Sequence, residues 1–139
     1  MPLRDYLAAN PPPDSAFAQS IAGVAERAVA GEDFLYAVRE LLDEVQLLPR
    51  AELVSRALEI PPEPTGDRRY DAYLGALAEH LAVTHGVERP PWAVTPERFL
   101  DRMWFVTDVP GFRALLLIES PAAFRRRGIF VSARSLRRC

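Results

Sequence analysis

Lysine is missing from this chain: all 17 basic residues are arginine, so every cation is a planar fork suited to gripping carboxylate or phosphate at two points. A GC-rich coding sequence would leave the same bias. Cysteine occurs once, as Cys139, which rules out an internal disulfide and a cysteine-based zinc site, and with them the stapled secreted scaffolds. No apolar run approaches the roughly 20 residues a membrane-spanning helix needs. The opening MPLRDYLAANPPPD lacks the basic start and long apolar stretch of a signal peptide. A cytoplasmic protein with no membrane partner is the expectation. Phosphate-binding, dinucleotide, nucleophile-elbow, zinc-protease and calcium-loop motifs are all absent, so neither an enzyme nor a cofactor is predicted. No metal site is expected either: His80 and His85 fall about 140° apart around a predicted helix and do not face one ion. Glu79 and His80 diverge by about 100° and read as solvated or partly buried polar residues.

What is present is the material of one folded domain. In 139 residues, 49% are hydrophobic and 26% charged, with a net charge of −2, enough apolar surface for a core and too little excess charge to keep the chain unfolded. That small net charge hides a polarity. Residues 1–111 hold ten arginines against eighteen acids, a balance of −8, whereas residues 112–139 hold seven arginines against Glu119 alone, a balance of +6.

Helical periodicity recurs along the chain. Phe17, Ile21, Val24, Ala25 and Ala28 repeat at spacings of three and four over residues 14–30, behind Asp14 as a cap and ahead of Gly31. Phe34, Leu35, Val38, Leu41, Leu42 and Val45 form a second stripe with Glu32 and Asp33 at its start and Pro49 beyond its end. Leu53, Val54, Ala57 and Leu58 line a shorter third. PPEPTGD at 61–67 cannot continue a helix and separates an acidic helical subunit, 1–60, from a second subunit, 61–139, packed together as one domain. Tyr70, Tyr73, Leu74, Leu77, Ala78 and Leu81 then mark a helix closed by Gly86. Residues 87–111, with four prolines, Trp92 and Trp104, predict an irregular arm pinned by aromatic anchors and containing one short helix at TPERFLD. FRALLLIES has too short an apolar run for periodicity to separate a buried helix from a strand, and the helix is the preferred reading. SPAAFRRRG predicts about two basic turns with Ser120 as cap, Pro121 at the first position and Gly128 as the stop. The fold class is therefore all-α: a small bundle with a Pro/Trp-rich arm and a short basic carboxy-terminal helix.

Two helices meeting at QLLPRAE suggest a helix-turn-helix over 34–58, but seven acids against three arginines between Glu32 and Glu59 would repel phosphates rather than exchange counterions with them. The arginine-rich end is the credible anion-binding element. Arg125, Arg126 and Arg127, followed by Ile129, Phe130 and Val131, combine electrostatic steering with an apolar anchor, as expected where a partner with an acidic cleft docks.

TGDRRYDAYLGALAEHLAVTHGVERPPW (65–92) and PERFLDRMWFVTDVPGFRALLLIESPAAFRRRGIFVSARSLRRC (96–139) resemble the carboxy-terminal region of antitoxins paired with nucleotidyltransferase-like toxins of the AbiEii and MenT type. The resemblance covers just over half of the chain. It implies a non-enzymatic inhibitor whose partner is such a toxin, and places the main contacts on Trp104, Phe105, Phe124, Arg125, Arg126, Arg127, Ile129 and Phe130. It also implies an amino-terminal DNA-binding module, from which the first 60 residues depart. A transcriptional regulator binding operator DNA through its basic end, and a helical adaptor with an unrelated partner, stay open as alternatives. So does a homodimer.

Overall fold

A computed structural model describes residues 19–136 apart from positions 108 and 110. Within them the chain is all-α, with six α-helices and one two-stranded parallel sheet of two residues per strand. Helix α1 (Ile21–Val29) starts at Ser20, whose hydroxyl accepts the Gly23 N–H at 3.0 Å. The predicted cap Asp14 and the stripe residue Phe17 lie outside the described residues. Helix α2 (Phe34–Gln46) is capped by Asp33, which accepts the Tyr36 N–H at 2.8 Å. It buries Phe34, Ala37, Val38, Leu41, Leu42 and Val45. Helix α3 (Ala51–Glu59) adds Val54, Ala57 and Leu58.

The central element is α4 (Arg68–His85), begun by Asp67 and closed by Gly86 in the left-handed region, φ 67°. Its predicted single stripe is too narrow a description. Ala72, Gly75, Ala76, Glu79 and Ala82 are buried as well, because α1 and α3 pack on α4 and so do later elements of the chain. A helix covered on several sides needs small residues where a neighbouring backbone comes close. Gly75 is the sharpest case: a Cβ there would lie 2.8 Å from Arg98 Cβ and 3.0 Å from the Ala93 carbonyl oxygen. Helix propensity alone favours alanine over glycine by about 1 kcal/mol. We expect Gly75→Ala to reverse that sign and destabilise the protein by about 1–3 kcal/mol, measured by urea unfolding.

After α4 the chain turns irregular, as its prolines predict. Two 3₁₀ turns, Pro91–Val94 and Pro96–Arg98, replace the short helix expected at TPERFLD. Trp92 is buried and donates its indole N–H to the Leu58 carbonyl at 2.9 Å, tying the arm to α3. Strand β1 (Trp104–Phe105) pairs in parallel with β2 (Ile129–Phe130), Trp104 opposite Ile129 and Phe105 opposite Phe130. Between them lie α5 (Arg113–Glu119) and the single turn α6 (Ala122–Arg125), and a last 3₁₀ turn spans Ala133–Leu136. Ser120 does not cap α6 as expected. That position falls to Pro121, with no side-chain cap bond, while the buried Ser120 hydroxyl accepts the Val131 N–H at 2.9 Å and lies 3.0 Å from the Val131 carbonyl. Gly128, φ 80°, ends the basic turn. One apolar cluster draws on Ile21, Leu41 and Leu58 before the proline segment and on Leu77, Phe124 and Ile129 after it.

Candidate functional site

The eight residues expected to meet a partner do not form one outward face. Phe124 and Ile129 are fully buried, Phe130 and Arg127 nearly so, and Trp104 and Phe105 are half-buried. Of the arginine triplet, only Arg125 and Arg126 reach the surface. Arg125 ends α6, and Arg126 and Arg127 lie in the turn that follows it. That turn carries Arg127 inward, where its guanidinium meets Glu79.

Arg127 and Glu79 form the polar centre of the fold. The Arg127 guanidinium donates to Glu79 Oε2 and to the carbonyls of Ala123 and Ala93, the last two at 2.7 Å. It also lies over the Phe99 ring, 4.6 Å from the centroid. Arg126 reaches Glu79 Oε1 at 2.7 Å and Arg89 reaches the same oxygen at 3.2 Å. Burial by itself pushes the Glu79 carboxyl up, but the Arg127 hydrogen bond and the surrounding guanidinium charges outweigh it and hold the carboxyl below its ordinary value. Burial also dominates at Arg127, lowering its guanidinium despite Glu79, and an arginine remains charged at neutral pH all the same. The reading of Glu79 as a solvated or partly buried polar residue is thus corrected: it is the buried counter-ion of Arg127, 48 residues distant in sequence. A sequence hint exists in the alanines at positions 72, 76 and 82, which share a helix face with Glu79.

The aromatic members of the proposed contact set are occupied internally. Phe124 meets Tyr73 edge-on at 5.0 Å and His80 at 5.9 Å. Phe105 stacks on Phe130 at 5.0 Å, and Trp104 lies against Tyr70 and Tyr73. Arg98, which the sequence did not single out, behaves like Arg127. It is buried over the Trp92 ring and donates to the Asp71 and Pro62 carbonyls, both at 3.1 Å.

Among the described residues no group of three His, Cys, Asp or Glu side chains is placed to hold a metal ion, and no helix is long and apolar enough to cross a membrane. Desolvation, then the charge of His85, lowers the His80 pKa. A cavity of about 300 Å³ between α2 and the strands presents Thr107, Ser132 and Ser135 with Arg39, and no histidine or carboxylate among the described residues.

Five arginines in the carboxy-terminal part are exposed among the described residues: Arg102, Arg113, Arg125, Arg126 and Arg134. Arg126 is held by Glu79, and the other four make no ion pair among the described residues. No family model matches this chain, and neither a curated protein nor a solved structure matches it.

Proposed function

We propose that this chain is a non-enzymatic antitoxin, acting in the cytoplasm, that neutralises a nucleotidyltransferase-like toxin by direct protein–protein binding. The observation that carries the reading is the set of exposed arginines, 102, 113, 125 and 134, without carboxylate partners among the described residues, on a chain whose first 60 residues are acidic. Nucleotidyltransferases hold catalytic metal ions on carboxylates. Guanidinium groups offered from another protein pair with such carboxylates through charge-assisted, bidentate contacts. Inhibition of this kind needs no chemistry from the inhibitor.

The test is growth rescue on co-expression with a nucleotidyltransferase-like toxin. Reversing all four charges to glutamate leaves the core untouched, and we expect it to abolish rescue while thermal unfolding shifts little, since surface substitutions cost within about 0.5 kcal/mol each. Full rescue by the reversed protein would remove these arginines from the mechanism. Deleting residues 120–139 would not serve, because it strips Phe124, Arg127 and Ile129 from the core.

A further inference from the structure

Three guanidinium groups surround one carboxylate. Glu79 Oε2 takes Arg127, while Oε1 lies 2.7 Å from Arg126 Nη2 and accepts from Arg89 Nη1 at 3.2 Å. A single carboxylate answers a single positive charge, so the cluster keeps an excess of two. The sequence neighbours leave that count unchanged, since Glu88 beside Arg89 and Arg125 beside Arg126 are both exposed and of opposite sign. The excess is felt inside the fold: burial first, and then the charges of Arg126 and Arg89, lower the Arg127 guanidinium against the pull of Glu79.

That excess also reaches the surface. Arg127 is enclosed, but the Arg89 and Arg126 side chains are each 46% exposed. Both contacts run to one oxygen, so the two nitrogens lie within about 6 Å of each other, a span that one phosphate group bridges with two of its oxygens. Each guanidinium has five N–H donors and spends one nitrogen on Glu79. Its Nε and other Nη have no hydrogen-bond partner among the described residues. Glu79, itself tied down by Arg127, holds the pair together and so reduces the ordering cost of gripping an anion. We propose that Arg89 and Arg126 form a binding site for a phosphate dianion, free or as the phosphomonoester end of a small molecule. Its two negative charges match the excess of two, and planar forks suit its oxygens. A monoanion leaves half of the excess unanswered. The site stands whether or not a toxin docks elsewhere on the chain.

Calorimetric titration of the full chain at low salt and about pH 8, where these ligands are dianions, tests the site with inorganic phosphate and with glycerol 3-phosphate. Saturable one-to-one binding is expected. Equal affinities would identify the phosphate group as the whole ligand, and tighter binding of the ester would identify a carried phosphate; both support the site. Dimethyl phosphate, a monoanion, should bind at least tenfold more weakly. Arg89→Gln/Arg126→Gln should weaken phosphate binding at least tenfold, with thermal unfolding confirming a folded protein, because Glu79 keeps Arg127 beside it. Arg126→Gln alone should weaken it several-fold and serves if the double variant does not fold. Arg113→Gln/Arg134→Gln removes the same charge from other exposed positions and should leave the affinity within twofold. A response no greater than that to sodium chloride of matched ionic strength, an equal loss in both double variants, or dimethyl phosphate bound as tightly as phosphate overturns the site. So does binding of a short DNA duplex by a chain that does not respond to the small phosphates.

Discussion

Glu79→Ala is expected to cost about 3–5 kcal/mol of folding free energy, a large part of the 5–15 kcal/mol that a domain of this kind holds in total. The substitution removes the carboxylate that answers Arg127, and the guanidinium left behind is almost wholly enclosed, 1% exposed. Its bonds to the Ala93 and Ala123 carbonyls remain, but these satisfy hydrogen-bond donors and do not neutralise the charge. Arg127→Met should be milder, because Glu79 keeps Arg126 and Arg89 beside it. The double variant Glu79→Leu/Arg127→Met should recover most of the loss of Glu79→Ala, as expected when a buried pair gives way to apolar residues of similar volume. Recovery would locate the cost in the orphaned charge and not in lost packing.

The same network sets a pH dependence of definite sign. Because the folded protein holds the Glu79 carboxyl below its ordinary value of 4.5, the unfolded chain takes up its proton first as acid is added. The stability contributed by this group is present above that value and drains away as pH falls through the lower folded one. Urea unfolding followed between pH 7 and pH 3 should show a steep acid limb in the native protein and a shallower one in Glu79→Gln. Equal slopes would mean that Glu79 is not the titrating group.

Much of the fold was legible because it is local. The stripe of α2, the acidic start at Glu32 and Asp33 and the Gly86 stop each depend on residues within a few positions of one another, so spacing alone identifies them. The exposure of α5 was not legible. FRALLLIES has the composition of a buried segment, and only the placement of its neighbours reveals that, of its apolar residues, Leu116 alone is buried. The arginine triplet misled for a related reason: adjacency in sequence suggested one basic patch, while Arg125, at the end of α6, faces outward and Arg127, in the turn after it, enters the core. No short-range pattern records that Arg127 will find Glu79, since the two meet only after the arm has folded back across α4. The exposed cations at 102, 113 and 134 were equally hidden, because burial decides which arginines remain free, and burial is settled by tertiary packing.

Phe124→Ala separates the core role from the contact role that the resemblance implied for this residue. The ring is fully buried and packs edge-on against Tyr73 and His80, so truncation leaves a cavity between α6 and α4. A loss of about 3–5 kcal/mol is expected, read as a fall in the denaturant midpoint with little change in slope. Arg125→Glu, one residue further on and exposed, should shift the same midpoint by no more than about 0.5 kcal/mol. In a rescue experiment both variants can fail, but for different causes. Phe124→Ala should fail through a smaller folded population and regain activity when growth temperature is lowered, whereas a failure of Arg125→Glu should persist at every temperature at which the protein is folded. If Phe124→Ala unfolds with the native midpoint yet loses its partner, the ring is a contact after all, and the packing of α6 against α4 described above is wrong.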